Sequence, residues 1–322
     1  MPVTAQLIDL QPDNSTLLEE SIAGLKATPR HLPCKYFYDA EGARLFEQIC
    51  ELPEYYPTRT EIGILKRFLP DMARLIGPRA RVVEYGSGEG LKIRLLLDAL
   101  QNPAAYTAID ISREQLRLAA SQLSRDYPDV DIQPVCADYS SALDLPQPHH
   151  VFERTVVFFP GSTIGNFAPE EAVAMMRRFA ALARQGQQPG GLLIGVDLKK
   201  SRQRIEAAYN DALGLTAKFN LNLLRRLNRE VGANFQLDHW QHRAFWNERQ
   251  GAIEMHLVSQ REQVVHINGD SFSFTAGDSV HTENSFKYTP EEFIALAAQA
   301  GFRSAGVWTD DESLFSVHYL TL

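Results

Sequence analysis

The sequence lacks the features that are typical of disulfide-rich, membrane-spanning and nucleic-acid-binding proteins. Its 322 residues include three cysteines, at positions 34, 50 and 136, with no paired spacing, which indicates free thiols in a reducing cytoplasm. No run approaches the roughly 20 apolar residues of a membrane helix, and residues 1–13 lack the pattern of a signal peptide. The net charge is −8 and no Lys/Arg cluster stands out. We therefore expect no membrane and no nucleic-acid partner.

The nine histidines predict no metal site. His239 and His242 are three residues apart, a spacing that places two side chains on one face of a helix. No acid or cysteine is arranged around them in the sequence, so packing or surface roles are favoured. We expect a protein without a metal, and a monomer, because nothing in the sequence demands an oligomer.

The stretch Glu84-Tyr85-Gly86-Ser87-Gly88-Glu89-Gly90 is the most informative part of the chain. It follows a short apolar run and precedes a helical pattern over 91–100. A strand, a Gly-rich turn and a helix form the nucleotide-binding entry of an open α/β sheet. A dinucleotide fingerprint requires G-x-G-x-x-G, but Leu91 stands at the third glycine position. Glu84 and Glu89 would oppose a pyrophosphate and favour the positively charged S-adenosylmethionine (SAM).

Two more acids follow strand patterns. Asp110 comes after the run 106–109 and could accept the two ribose hydroxyls of an adenosine. Asp138 comes after the run 131–135 and suits an adenine amine. Together with Glu84 and the Gly-rich turn, these acids predict a SAM site. The alternative is a set of ordinary strand-to-helix turns in an α/β domain.

Alternating strand and helix patterns predict an α/β fold with a parallel sheet. Further strands are expected at 155–159 and 192–196, with a helix over 169–184 between them. A helix over 290–300 and two closing strands at 304–308 and 316–322 complete a seven-stranded sheet.

Two segments break this alternation. Residues 1–60 are aromatic-rich, and the insertion 201–287 combines a helical region at 204–230 with strand patterns at 252–259, 263–267 and 271–275. We predict a SAM-binding core over 61–200 and 288–322, and a substrate-binding domain over 1–60 and 201–287.

Four motifs outside the Gly-rich turn look specialised: Tyr36-Phe37-Tyr38-Asp39 with Phe46, Leu52-Pro53-Glu54-Tyr55-Tyr56-Pro57-Thr58-Arg59, Gly161-Ser162-Thr163-Ile164-Gly165-Asn166-Phe167, and Thr282-Glu283-Asn284-Ser285-Phe286-Lys287. The third follows a strand, where open α/β sheets bind ligands. The first two could instead be aromatic core. Asn166 could instead be a turn or helix-cap residue, and Glu283 a surface strand residue.

These motifs, with Ala208-Tyr209-Asn210-Asp211-Ala212 and Ile253-Glu254-Met255-His256-Leu257, resemble the histidine-specific SAM-dependent methyltransferases. The resemblance runs from about residue 30 to the C-terminus. It implies a class I, Rossmann-like methyltransferase core with a second substrate-binding domain. It also implies trimethylation of the α-amine of histidine to hercynine, a step of ergothioneine biosynthesis. The same family contains fungal enzymes that act on other amino acids, including a tryptophan derivative.

The resemblance also assigns residues. It places SAM on Gly86, Lys92, Asp110, Asp138 and Tyr139. It places the amino-acid substrate against Tyr38, Phe46, Tyr55, Gly161, Asn166, Tyr209, Met255, Glu283 and Ser285. In this assignment Asn166 and Tyr209 hold the α-carboxylate, and Glu283 and Ser285 hold the imidazole. Tyr38 lies near the amine. The loop at 89–91 and Asn284 depart from the family pattern, which bears on fine specificity.

The predicted chemistry needs alignment more than acid–base catalysis, because the methyl group of SAM is already activated. The amine must be neutral, and Tyr38 or Asn166 could orient its lone pair, but no strong general base is evident. Two other functions stay open from the sequence: a SAM-dependent N-methyltransferase for another amino acid or small amine, and a SAM-sensing module without catalysis.

Overall fold

The structure, a computed structural model, describes residues 7–10, 14–88, 90–138 and 143–322. Its strands are β1 (Ile8–Asp9), β2 (Ala80–Tyr85), β3 (Ala105–Asp110), β4 (Asp131–Cys136), β5 (Arg154–Phe159), β6 (Gly191–Asp197), β7 (Trp240–Asn247), β8 (Ala252–Ser259), β9 (Gln263–Ile267), β10 (Asp270–Phe274), β11 (Ser279–Phe286), β12 (Arg303–Thr309) and β13 (Phe315–Thr321). Its α-helices are α1 (Asn14–Lys26), α2 (Ala40–Cys50), α3 (Tyr56–Ile76), α4 (Leu91–Ala99), α5 (Arg113–Asp126), α6 (Pro169–Ala183), α7 (Arg202–Tyr209), α8 (Leu215–Val231) and α9 (Pro290–Ala298). The chain divides into two compact units. The first contains Met1–Gln11, Pro57–Lys199 and Lys287–Leu322, and the second contains Pro12–Tyr56 and Lys200–Phe286.

The first unit contains an eight-stranded sheet in the order β1-β4-β3-β2-β5-β6-β13-β12. Strands β1 to β6 run parallel, and β13 runs antiparallel between β6 and β12. The short apolar runs form buried strands because helices cover both faces, as is usual for parallel sheets. The predicted α/β class with a Rossmann-like core is confirmed. The seven predicted strands all form, and β1 adds an eighth at the sheet edge.

Two layers of helix cover this sheet. On one face, apolar side chains of α3, α4 and α5 share a core with residues such as Val82, Tyr106 and Phe158. On the other face, Phe179 of α6 packs against Tyr85 and Phe159, with ring centroids 4.9 and 5.1 Å apart. The apolar spacing of the helices and the burial of strands β2 to β6 have the same cause, because these strands have a hydrophobic layer on both sides.

The second unit contains a three-stranded antiparallel sheet, β11-β8-β7, and a hairpin, β10-β9. Helix α8 is amphipathic and packs against α2 and this sheet. Asp39 caps the N-terminus of α2 by accepting a hydrogen bond from the Gly42 N–H at 2.8 Å. Asp211 does the same for α8, accepting from the N–H groups of Leu215 and Thr216 at 2.8 Å each. Such caps satisfy backbone donors that a helix start leaves free.

The insertion differs from its predicted pattern in two ways. The helical region 204–230 consists of two helices, because Gly214 adopts a positive φ of 66° directly before α8. Strands β7 and β11 were not predicted, since each mixes polar and aromatic residues without strict alternation. His242 lies on β7 and His239 in a short 3-10 turn, so these two histidines do not share a helix face.

The predicted domain boundaries need correction at four points, one of which is that Lys200 lies in the second unit. Residues 1–60 were assigned to the substrate-binding domain, but Ile8–Asp9 pairs with Val135–Cys136 of β4 and lies in the first unit. Residues 57–60 also belong to the first unit, because they form part of the continuous helix α3. Lys287 joins the first unit as well, since Lys287 and Asp197 form an ion pair there.

In the part of the chain that the structure describes, no helix combines the length and the apolar character that crossing a membrane requires.

The Lys287–Asp197 pair is buried at the end of β6. The Nζ and Oδ2 atoms are 2.7 Å apart, and each side chain is 1% exposed. A buried charge that loses its partner is strongly destabilising, because the remaining ion keeps its desolvation cost.

We therefore expect Lys287→Met to lower the free energy of unfolding by about 3–5 kcal/mol. Urea unfolding followed by circular dichroism measures this. Lys199→Met is the matched control, because Lys199 and its partner Glu292 are 39% and 46% exposed and such pairs contribute about 0–1 kcal/mol. Equal stability of the two variants would contradict the role given to the buried pair.

Candidate active site

The Gly-rich turn adopts a backbone that requires glycine. Gly86, Gly88 and Gly90 have φ angles of 75°, 47° and 76°, in the left-handed region that other residues rarely adopt. The Gly86 N–H donates to the Ile109 carbonyl oxygen at 2.8 Å, and Gly90 stands at the start of α4. A side chain built on Gly88 would meet no atom within 4 Å. The turn is therefore fixed at its base and open at its tip, where a ligand could approach the backbone.

Asp110 ties this turn to the next strand. Its Oδ2 accepts from the Gly88 N–H at 3.3 Å, and its Oδ1 accepts from the Ser112 N–H at 2.9 Å. Burial is the largest effect on this carboxyl and raises its pKa, while the backbone donors lower it. Each carboxylate oxygen can accept a further hydrogen bond, so the group suits a pair of ligand hydroxyls.

Asp138 lies beside Asp110 at the same edge of the sheet. Asp110 pairs with Cys136 in the β3–β4 register, and the Ala137 N–H donates to the Asp110 carbonyl oxygen at 3.0 Å. The structure thus brings together Gly86, Asp110 and Asp138 at adjacent strand ends. Tyr139 lies outside the described residues, as does Glu89 of the turn.

Glu84 has a different state from the one that the sequence suggested. Its carboxylate and the Tyr106 hydroxyl form a short hydrogen bond, and the residue is 2% exposed. Burial raises the pKa of Glu84 to about 8, although the Tyr106 bond and Lys92 both lower it. The group therefore holds a proton at neutral pH, so its negative charge is not available until a cation binds nearby.

Glu61 of α3 is a site residue that the sequence analysis missed. Its carboxylate accepts from Lys92 Nζ at 2.5 Å and, with each oxygen at 2.9 Å, from the Gly161 N–H. It is 1% exposed. Gly195 makes room for it, since a Cβ there would lie 2.0 Å from Glu61 Oε1. A glycine inside a strand often marks such a close approach, and this was the signal available in the sequence.

The turn after β5 carries Gly161 and Asn166. Ser162 has a positive φ of 57°, and its hydroxyl accepts from the Asp197 N–H at 2.9 Å. Asn166 ends the 3-10 helix Thr163–Asn166 and is half-buried. It does not cap α6, because Ala168 holds that position and its N–H donates to Glu171 at 2.9 Å. The helix-cap alternative for Asn166 therefore does not apply.

In the second unit, the predicted aromatic residues meet in one cluster. The ring centroids of Tyr38 and Phe46 are 5.7 Å apart, those of Phe46 and Tyr55 are 6.0 Å apart, and those of Tyr55 and Tyr209 are 6.4 Å apart. All three pairs are close to edge-to-face, a favourable geometry. Phe219 of α8, which the sequence analysis missed, lies 5.7 Å from Tyr38 and 6.0 Å from Phe46. Its helical spacing suggested only core packing.

Burial raises the pKa of the Tyr55 hydroxyl well above its usual value. The nearby ionisable groups of Tyr209, Cys50, Tyr38 and Glu283 raise it further, by smaller amounts. Tyr55 therefore stays neutral at physiological pH. It can donate or accept a hydrogen bond, but it cannot serve as a phenolate base.

Met255, Glu283 and Ser285 lie on one face of the three-stranded sheet. Glu283 pairs directly with Met255, and Ser285 pairs with Ile253. A one-residue register shift at Thr282 separates them from His281, which pairs with His256. Glu283 and Ser285 are 8% and 4% exposed. The surface-residue alternative for Glu283 is therefore wrong, and the shift puts its side chain on the face of Met255.

A buried hydrogen-bond network supports this face and Tyr209. His242 Nε2 donates to the Tyr209 carbonyl oxygen at 2.8 Å, so its Nδ1 accepts from Asn220 Nδ2 at 2.9 Å. The Thr282 hydroxyl donates to Asn220 Oδ1 at 2.8 Å. Burial lowers the pKa of His242, which keeps the ring neutral as this pattern requires. The network links the end of α7 to β11 through three side chains.

The fold and the Gly-rich turn with its ordered acids define a class I SAM-dependent methyltransferase. The family model for the SAM-dependent histidine-specific methyltransferases matches residues 17–322, and the chain belongs to that family. The resemblance stated from the sequence motifs is thereby confirmed.

Three of the proteins to which this chain is similar illustrate the relationship. The chain is 41% identical to histidine N-alpha-methyltransferase of Mycolicibacterium smegmatis, over 92% of this chain and 91% of that protein. It is 37% identical to histidine N-alpha-methyltransferase of Mycobacterium tuberculosis, over 94% and 93%. It is 32% identical to ergothioneine biosynthesis protein 1 of Neurospora crassa, over 88% of this chain and 32% of that protein.

The Glu61 contacts predict a role in SAM binding, because they fix Lys92 and the Gly161 turn. We expect Glu61→Gln to weaken SAM about tenfold, since it removes the charge opposite Lys92 and one of the accepting oxygens. Gly195→Ala should have a similar effect by displacing the Glu61 carboxylate. Calorimetric titration with SAM measures both. Asp71→Asn, an exposed change in the same helix, is the control, and wild-type affinity in Glu61→Gln would contradict the role.

The His242 network predicts a selective effect on the amino-acid substrate. We expect His242→Ala to raise the KM for that substrate about tenfold while the KM for SAM stays unchanged, because the Tyr209 backbone loses its donor. His242→Gln can still donate and accept, and should lose less. Initial-rate kinetics with each substrate varied in turn decide the matter. Parallel increases in both KM values would indicate general destabilisation instead.

Proposed function

We propose that this chain transfers methyl groups from SAM to the α-amine of L-histidine, three times in succession, to form hercynine in ergothioneine biosynthesis. The family assignment supports the reaction class, and the names of the relatives support the substrate. The observation that carries the proposal is the buried pair Glu283 and Ser285 on the same strand face as Met255. A small ring bound at this face could contact the Glu283 carboxylate, the Ser285 hydroxyl and the apolar side chain of Met255.

The imidazole chemistry fits these groups. A carboxylate that accepts from an imidazole N–H makes a charge-assisted bond, which contributes about 1.5–3 kcal/mol. Ser285 can donate to the second ring nitrogen, because a hydroxyl donates and accepts. Met255 can pack along the ring as a flexible apolar contact. An indole has a single N–H and a larger ring, so it uses these groups less well.

We propose that Gly86, Lys92, Asp110 and Asp138 bind SAM, together with Tyr139. The open tip of the turn and the accepting oxygens of Asp110 support this assignment. Asn166 and Tyr209 are proposed to bind the α-carboxylate, and Gly161 to contact the substrate through its backbone. SAM supplies an activated methyl group, and the amine nitrogen forms the new C–N bond as the C–S bond breaks and its electron pair passes to sulfur.

The chain's own residues orient the amine and tolerate its growing substitution. Tyr38 is proposed to accept from the amine, which loses its protons to water between rounds. Each round removes one N–H donor and leaves a permanent cation after the third. Ring faces attract quaternary ammonium groups, and the cluster of Tyr38, Phe46 and Tyr55 offers three of them. The aromatic residues therefore suit substrate and product alike.

For the setting of the enzyme, we propose a monomer that acts on small molecules in the cytoplasm. Cys34, Cys50 and Cys136 have no paired spacing in the sequence, which is consistent with a reducing compartment.

The decisive experiment incubates the purified protein with methyl-labelled SAM and each of the twenty amino acids, with histamine as a probe of the carboxylate. We expect labelled hercynine from histidine and little product from histamine, since Asn166 and Tyr209 would be left without the carboxylate. Mass spectrometry counts the methyl groups. Preference for another amino acid would replace histidine as the substrate, and SAM binding without any product would favour a sensing module.

The Glu283→Gln variant tests side-chain recognition within the same assay. It keeps the size of the side chain and removes its charge, so kcat/KM for histidine should fall about tenfold. The KM for SAM should not change, and the histidine-to-tryptophan ratio of kcat/KM should fall. Glu262→Gln, an exposed change in the second unit, is the control. An unaltered ratio would remove Glu283 from the proposal.

A further inference from the structure

The face of the three-stranded sheet opposite Met255 and Glu283 carries a second polar cluster. Glu254 and His256 alternate with Met255 along β8, so they point to the other face. Across the strand pair, His256 is directly opposite His281, and Glu254 is directly opposite Asn284. Paired residues of neighbouring antiparallel strands have Cβ atoms about 4.5–5.5 Å apart. The four side chains therefore form two neighbouring cross-strand pairs on one face of the sheet.

Three of these residues have potential metal-ligating atoms close to one another. One oxygen or nitrogen atom from each of Glu254, His256 and His281 lies within 4.8 Å of the other two. Glu254 Oε2 and His256 Nε2 are 3.0 Å apart. In a tetrahedral zinc site, ligand atoms about 2.0–2.1 Å from the ion are roughly 3.3 Å from each other. Small side-chain rotations are enough to bring the group to that geometry.

Neighbouring side chains already hold these ligands in place. Asn247 Nδ2 donates to Glu254 Oε1 at 2.6 Å, which leaves Oε2 toward His256. The His256 ring stacks on Phe245, with centroids 5.3 Å apart and an interplanar angle of 19°. His281 Nε2 donates to Asn284 Oδ1 at 3.0 Å, so its Nδ1 retains a lone pair. Such outer contacts orient metal ligands and strengthen binding.

We propose that Glu254, His256 and His281 bind one divalent transition-metal ion, with Zn²⁺ as the best match. Two imidazoles and one carboxylate are ligands that zinc accepts readily, whereas calcium and magnesium prefer sets composed of oxygen. The Glu254 and His256 side chains are 11% and 16% exposed, so an ion and a water molecule can reach the site. The sequence analysis missed the site because His281 lies on β11, which was not predicted as a strand, directly opposite His256 of β8.

The ion has a structural role in this proposal. It links β8 to β11 on the face that points away from Met255, Glu283 and Ser285. Binding to the folded chain alone stabilises it by mass action. Methyl transfer needs no metal at this position, because the ligands lie on the opposite side of the strands from the residues assigned to the substrate.

Calorimetric titration of untagged, metal-stripped protein with zinc chloride tests the site. Free histidine is omitted, because it chelates zinc. We expect one ion per chain, and affinities at least about tenfold weaker in His256→Ala and His281→Ala. Glu254→Gln should also bind more weakly, and it preserves the size of the side chain. His266→Ala is the matched control, because His266 is an exposed histidine on β9 that bonds to Ser271.

Two further measurements separate this site from adventitious binding. Zinc should raise the unfolding temperature of the wild type and of His266→Ala, but not that of His281→Ala. Methylation rates should be equal before and after treatment with a chelator. The proposal is overturned if the wild type binds no zinc, or if the His256→Ala and His281→Ala variants bind it as the wild type does. Loss of methylation on metal removal would overturn the structural role.

Discussion

The register shift at Thr282 is the local feature on which the arrangement of polar side chains in the second unit depends. Thr282 is the extra residue in β11, and its buried hydroxyl lies 2.8 Å from Asn220 Oδ1 and 3.1 Å from the Met255 carbonyl oxygen. These two contacts hold the irregular strand against α8 and β8.

Without the shift, strict alternation would place Glu283 on the same face as His281. With it, Glu283 and Ser285 share a face with Met255, and Asn284 shares the opposite face with His281. The shift therefore separates two sets of polar side chains that lie within five residues of each other. Bulges near active sites commonly re-aim side chains in this way.

A second constraint concerns charge in the first unit. Burial raises the pKa of Asp110 and takes that of Glu84 to about 8. Both carboxyls are thus costly to ionise in the free protein, and a bound cation would offset that cost. Glu61 differs, since Lys92 and the Gly161 N–H already accompany its charge. The candidate site therefore combines one carboxylate that already has a cation and a backbone donor with two buried carboxyls. A positively charged ligand would favour the ionised form of those two carboxyls.

Much of the first unit could be predicted because most of its parallel strands are short apolar runs followed by a periodic helix. The sheet is buried on both faces, so hydrophobicity alone marks its strands. The acids proposed to bind SAM, Asp110 and Asp138, lie at the last residue of β3 and two residues beyond β4, at positions that the sequence itself shows. Glu61 was missed because its partners Lys92 and Gly161, and Gly195 that leaves room for it, are all distant from it in the chain.

The second unit was harder to predict for a physical reason. Strand β7 carries glutamine, histidine, arginine and asparagine, and β11 carries histidine, threonine, glutamate and asparagine, so no clear period of two appears in either strand. Their stability comes from cross-strand pairs and the network through His242 and Asn220, and these exist only after folding. The aromatic motifs were recognisable from the sequence, but Phe219 reads as an ordinary apolar position of α8. Tertiary contacts, not local pattern, determine these elements.

The polar network also bears on how one pocket could serve three successive reactions. In the proposed function, the amine changes from a donor of hydrogen bonds to a bulky cation without donors. A pocket that relied on polar contacts at the amine would lose them round by round and leave buried acceptors unpaired. Selection at the imidazole avoids this problem, because the ring is unchanged by methylation. Glu283 and Ser285 can therefore hold every intermediate equally, while aromatic faces accept the growing ammonium. In this proposal, substrate specificity and repeated methylation are compatible because one set of residues binds the imidazole and a different set contacts the amine.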